Sequence, residues 1–211
     1  MANKFTSFFG LFHSEPGYLE LLDLSAPQAK KSISLLLQCC RRSPDPYRDI
    51  DLLLEGPNWR PNLVAAVALA ALGYREGTFK KLWNAIDAGS WVTPQLAVTA
   101  FLRDPTFSEQ AQLRIQSRCP LKEMELGSMS ALEQHVAAGP AGSAERSAKT
   151  AASLVELAKQ LPQTPGWLGG ELSNPDLARL LAKDIDHSSS IAKEWLTRVK
   201  KMLSAEGIVF S

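Results

Sequence analysis

His13, His135 and His187 are the only imidazoles in the 211 residues, and none stands at a metal-ligand spacing from a cysteine or a carboxylate. Cys39 and Cys40 are neighbours that cannot easily bridge each other. With Cys119 they make an odd count without framework spacing, which points to a reducing compartment. They read as small buried hydrophobes; a redox or metal role for the Cys39-Cys40 pair is the competing reading. Asp184, Asp186 and His187 lie close together, and a helix terminus explains them as capping groups. No nucleophile elbow, P-loop or dinucleotide-binding glycine pattern occurs. The expectation is a protein with no catalytic residue, no metal site and no cofactor.

The chemistry that is left is recognition. Trp59-Arg60 and Trp91 stand at the mouths of two equivalent helices. Tryptophan and arginine carry much of the energy of protein interfaces, because each combines a large contact area with a polar handle. Two readings stay open for the tryptophans: cover for a hairpin turn, or a partly exposed interface anchor. Arg41, Arg42 and Arg48 cluster near one inter-helix turn, either as solvated helix ends or as a patch for an acidic partner or phosphate. The predicted partner-binding set is Arg48, Trp59, Arg60, Trp91 and Arg103.

Bulk properties narrow the partner. Hydrophobic residues make up 45% and charged residues 21%, ordinary for a globular chain, and the net charge is +1. Nothing in that balance draws the chain to nucleic acid or to an acidic membrane, although a local basic patch is compatible with it. No apolar run approaches the roughly 18 residues of a membrane span, and the N-terminal stretch is too short and interrupted for a secretion signal. The phenylalanines at 5, 8, 9 and 12 have helical spacing and read as a docking strip. The expected location is the cytoplasm.

The elements that would position these residues centre on a repeat between Asp51 and Pro105. Gly56 and Gly89, Pro61 and Pro94, and Leu63 and Leu96 are each 33 residues apart. Only the tryptophans at 59 and 91 break register, by one residue. A repeat of this size with helical content signals stacked helical hairpins. The predicted core is Leu63, Val67, Leu69, Leu96, Val98 and Leu102 on facing helices.

Apolar spacing and punctuation predict about ten helices and no sheet. A turn at Tyr18–Leu22 comes first. Ser25 is the expected N-cap of a helix from Pro27 to Arg42, followed by helices from Pro46 to Leu54 and from Trp59 to Leu72. The alanine-rich helix from Trp59 is apolar on nearly every face and should be buried between two neighbours. A helix around Phe79–Ile86, one from Pro94 capped by Thr93, and one from Ser108 complete the regular part. A loop over 120–128 and a short helix carrying Met129, Leu132 and Val136 come next, then a linker at 139–143. Helices from Ser143, from Pro175 and from Asp186 or Ser188 follow, with a loop containing Trp167 over 162–170. Residues 1–138 form the repeat region, clearest at 46–118, and 144–211 a C-terminal helical region packed on it in one continuous domain.

The helix pairs at Trp59-Arg60-Pro61 and Trp91-Val92-Thr93-Pro94 resemble bacterial HEAT-like repeat proteins. The likeness covers residues 46–118 best; the unit is shorter than the roughly 40–47 residues usual for HEAT, and no long array follows. What the resemblance implies is an all-α, right-handed stack of antiparallel hairpins that binds other macromolecules. It implies no catalytic residue. Some small proteins of this build look like immunity proteins that block a toxin or effector. The expected function is therefore non-catalytic protein binding, with a nucleic-acid-binding HEAT-like protein as the alternative.

Overall fold

The computed structural model describes residues 7–13, 17–56, 58–118, 143–184 and 187–210. Among them the regular elements are all helical. They are α1 (Phe9–His13), a 3₁₀ turn (Tyr18–Leu21), α2 (Ala29–Arg42), α3 (Pro46–Leu54), α4 (Trp59–Leu72), α5 (Glu76–Asp87), α6 (Thr93–Arg103) and α7 (Phe107–Arg118). There follow α8 (Ser143–Ala158), α9 (Gly166–Leu172), α10 (Pro175–Leu181) and α11 (Ser188–Ala205). The expected loop at 120–128, the short helix around Met129, the linker beginning at Gly139, Phe5, Cys119, His135 and Asp186 lie outside the described residues.

Several boundaries follow local chemistry. Asp45 accepts from the Arg48 N–H at 3.1 Å, with Pro46 in the first turn of α3. Asn58 accepts from the Arg60 N–H at 3.1 Å and opens α4. Asn174 accepts from the Asp176 N–H at 2.9 Å, with Pro175 opening α10. In each, a short side-chain oxygen satisfies one of the donors that a helix start leaves over. Gly73 ends α4 at φ 98 and ψ −167, a conformation that only glycine adopts without strain.

Other expected boundaries move. Ser25 does not cap a helix: its N–H and hydroxyl both go to Asp23 Oδ1, at 3.0 and 2.7 Å, so the turn closes early and α2 begins at Ala29. Thr93 lies inside α6, and its hydroxyl turns back to the Ser90 carbonyl at 2.6 Å. At α11 the donor at Ser188 N goes to Asp184 Oδ2 at 2.8 Å, so the cap comes from upstream of the position expected. The segment expected as a loop around Trp167 is helical from Gly166.

The 33-residue spacing is a contact in three dimensions. α3 packs on α4 and α5, and α6 packs on α4 and α5. Thr99 Oγ1 donates to the Ala66 carbonyl at 3.0 Å, and Arg103 Nε donates to the Ala70 carbonyl at 2.8 Å. Both pairs are separated by 33 residues, so equivalent turns of α4 and α6 are tied side by side. Leu63, Val67, Leu69, Leu96, Val98 and Leu102 are buried as expected. From Pro61 to Ala71 every residue of α4 is buried, matching its apolar character on all faces.

α8 continues against α6 and α7, and α11 lies across α8, α6 and α2. Trp195 on α11 donates its indole N–H to the Leu21 carbonyl at 3.1 Å, and Ser34 on α2 donates to Glu206 at 3.0 Å. The last helix thereby closes on the first turns of the chain. One contiguous core runs from Phe8 to Leu203. The expected strip of phenylalanines divides: Phe8 is buried, Phe12 is half-buried and Phe9 is exposed.

Candidate functional site

Trp59 is the first residue of α4, set by the Asn58 cap before it. Its counterpart by the 33-residue spacing is Val92, which is buried. Trp91 falls one position earlier, at the place of the Asn58 cap, and so stands outside α6 in the turn. The register break seen in the sequence is thus what places an indole at the surface. Trp91 is 58% exposed, whereas Trp59 is half-buried. Their rings meet at 4.9 Å between centroids with an interplanar angle of 66°, the edge-to-face geometry that aromatic quadrupoles favour. The Asn62 amide donates to Ser90 Oγ at 3.3 Å and steadies this turn.

The aromatic row continues to the N-terminal segment. Tyr18 lies 6.1 Å from Trp59, and Phe12 lies 5.4 Å from Tyr18. Arg60 spans two of these rings: its guanidinium sits 4.9 Å over Trp59, and its Nε donates to the Tyr18 hydroxyl at 2.8 Å. The structure therefore brings together Trp59, Arg60 and Trp91 from the predicted set and adds Tyr18. Tyr18 lay in a stretch read only for its apolar spacing, and nothing local links it to residues some forty positions later.

The other two predicted residues stand elsewhere. Arg48 is exposed on the first turn of α3, where its N–H completes the Asp45 cap. Arg103 is half-buried and bound within the chain: besides Ala70, it donates from Nη1 to the Val209 carbonyl at 2.9 Å and lies 4.4 Å over the Phe210 ring. Burial lowers the pKa of its guanidinium from the ordinary value. Its contacts tie the C-terminal tail to the end of α6.

Trp91 is also one wall of a cleft of about 340 Å³ between the start of α6 and α11. Val92, Ile191 and Trp195 supply further apolar wall, and Gln95, Lys149 and Ser188 line it with polar groups from three helices. Glu194 and Arg198 stand among its lining residues. Arg198 bonds Asp23 at 2.8 Å and Glu194 at 3.0 Å. The Ser25 hydroxyl, then its N–H, holds the Asp23 carboxyl below the usual range, with Arg198 adding to this. Gln95 and Lys149 escaped the sequence reading, and Ser188 was read only as a helix start, because none has a ligand-type spacing to the others. The one local signal was Gln95, a polar side chain in the largely apolar α6.

The cysteine pair is packing. Cys39 and Cys40 are both buried in α2, and burial pushes the Cys40 thiol up to about 12 and the Cys39 thiol up as well. Among the described residues no group of three or more His, Cys, Asp or Glu is placed to hold a metal ion, and no helix is long and apolar enough to cross a membrane. Comparison of the chain with protein-family models, with curated proteins and with solved structures finds no match.

Proposed function

We propose that this protein acts by binding another protein, without chemistry of its own, through the face formed by Tyr18, Trp59, Arg60 and Trp91. The observation that supports it is Trp91, 58% exposed and held edge-on by Trp59. A solvent-exposed indole fixed by a second indole can be covered by a partner with little further loss of side-chain freedom. Arg60 is stacked on Trp59 and bonded to Tyr18, so it too is pre-positioned. Glu194 and Arg198 line the cleft beside Trp91, and Arg198 also bonds Asp23, in keeping with the apolar centre and polar rim of protein interfaces. The reading takes α3–α4 and α5–α6 as HEAT-like units. Its narrower form, a cognate inhibitor covering a toxin or effector, rests on the helical build alone.

The test compares proteins retained by the wild-type chain, by Trp91→Ala and by Leu113→Ala, an exposed apolar position on α7. The expected result is a protein held by wild type and Leu113→Ala and lost from Trp91→Ala, with a drop in affinity of at least tenfold, about 1.4 kcal/mol or more. Thermal stability should stay within about 0.5 kcal/mol of wild type at the exposed site. Equal retention by all three rejects the face. Retention of nucleic acid that is lost in Arg60→Ala favours the other reading.

A further inference from the structure

We infer that the outer face of α2 and α11 is a binding surface for the phosphate backbone of a nucleic-acid duplex. The net charge of +1 conceals an uneven distribution. α2 carries Lys30, Lys31, Arg41 and Arg42 and no carboxylate. α11 carries Lys193, Arg198, Lys200 and Lys201 against Glu194 alone. Eight cations against one carboxylate give these two helices a net +7. Counting the three bordering carboxylates Glu20, Asp23 and Glu206 still leaves +4. The helices are neighbours: α11 packs on α2, and Ser34 on α2 donates to Glu206, just past the end of α11, at 3.0 Å. Lys30 stands one turn before Ser34 on the same stripe of α2, and Lys200 and Lys201 stand in the last turns of α11 before Glu206. Arg198 is paired with Asp23 and Glu194. The other seven cations are exposed, and among the described residues none of them is in an ion pair.

The composition of this face selects its partner. Like charges gathered without counter-charges repel one another, and a polyanion relieves that repulsion. Lysine is depleted in protein interfaces, whereas it serves well as a point charge on phosphate. Among the described residues α2 exposes no large hydrophobic side chain, and α11 exposes only Ile191, in its first turn. The face therefore has almost nothing to insert into a bilayer, and no exposed aromatic ring on which single-stranded bases could stack. Attraction to closely spaced phosphates is the interaction it is built for. α11 has 18 residues and extends about 27 Å, and a duplex carries one phosphate per about 1.7 Å of its axis, so several of these cations reach phosphates at once. The inference does not rest on the aromatic face binding a protein, since Trp59 and Arg60 belong to α4 and Trp91 to the turn before α6.

The experiment titrates the full chain into labelled DNA and RNA duplexes of about 24 base pairs and mixed sequence, following fluorescence anisotropy from low salt to about 0.15 M. Saturable binding is expected, with log affinity falling against log salt at a slope of about −3 to −5. The tighter of the two duplexes identifies the nucleic acid. Lys30→Gln, Lys31→Gln, Lys200→Gln and Lys201→Gln combined should weaken binding at least tenfold and flatten the slope by about 2–4. Lys80→Gln, Lys159→Gln, Arg179→Gln and Lys183→Gln combined remove the same charge from exposed positions elsewhere and should weaken it by less than about threefold. Circular dichroism monitors the fold; if the first combination does not fold, Lys31→Gln and Lys201→Gln alone should each flatten the slope by about 1. Trp91→Ala should bind the duplex as wild type does, so failure of the aromatic face to hold a protein leaves this inference intact. Absence of saturable duplex binding at low salt, equal loss in the two combined variants, or loss in Arg60→Ala overturns it. So does stronger binding at about 0.15 M salt to phosphatidylserine vesicles or to polyglutamate than to either duplex.

Discussion

Asp104 ends α6 in a buried position, yet its carboxylate is well supplied with donors. Trp83 Nε1 reaches Oδ2 at 2.6 Å, and the Thr106 N–H and hydroxyl both reach Oδ1 at 2.8 Å. Asp104→Ala strands a buried indole N–H and frees the turn into α7, so a loss of roughly 2–4 kcal/mol is expected. Chemical denaturation of the variant beside wild type checks it. Cys39 and Cys40 lead to a second expectation at this scale. Burial holds the Cys40 thiol at about 12, whereas an unfolded thiol ionises near ~8.5. The folded state therefore keeps a proton that the unfolded chain loses, and this group's contribution falls as pH rises from ~8.5 toward 12. Ellman's reagent at pH 8 should titrate at most one of the three thiols in the native protein and all three once it is unfolded.

At the scale of elements, α4 and α6 are the paired centre of the fold, and the cost of disturbing them separates packing from hydrogen bonding. Leu63 and Leu96 are fully buried at equivalent turns. Truncation of either to alanine should cost roughly 2–5 kcal/mol. Thr99→Val removes the hydroxyl that is shared between the Ala66 and Gln95 carbonyls, both at 3.0 Å, and should cost about 1 kcal/mol. A loss well under 1 kcal/mol for both leucine variants would contradict the core described above. Gly73→Ala should cost about 1–3 kcal/mol through backbone strain alone, since φ 98 with ψ −167 suits glycine only and the space beside it is open. Urea titration of the four variants orders these effects.

For the molecule as a whole, the contacts of α11 matter most. It joins α2, α6 and α8 into one core, and Trp195 bonds back to Leu21. A chain with one contiguous core should unfold in a single transition, with far-ultraviolet circular dichroism and tryptophan fluorescence superimposing. Two separated transitions would divide the N-terminal hairpins from the C-terminal helices. Arg103→Ala should leave the transition single but loosen the tail at Val209 and Phe210, seen as faster amide exchange there.

The helical class and the core of α4 and α6 were written in local pattern: apolar spacing, proline and glycine punctuation, and the 33-residue repeat. Local pattern suffices because a helix is built from contacts between residues three and four apart. Asp45, Asn58 and Asn174 act within one turn of themselves, and the helix starts that they cap were legible at Pro46, Trp59 and Pro175. Ser25 and Thr93 were misread because a serine or threonine hydroxyl has several near carbonyl and carboxylate partners, and the turn geometry chooses among them. Trp91 carried its exposure as a one-residue slip in the repeat, but whether that slip led to surface or core depended on the packing of α6. Tyr18 beside Arg60, Arg103 holding the C-terminal tail, and Gln95, Lys149 and Ser188 around one cleft are pairings over long sequence distances. Only the closure of α11 over α6 and α8 brings the cleft's members together, because side chains on different helices have no relation until those helices pack.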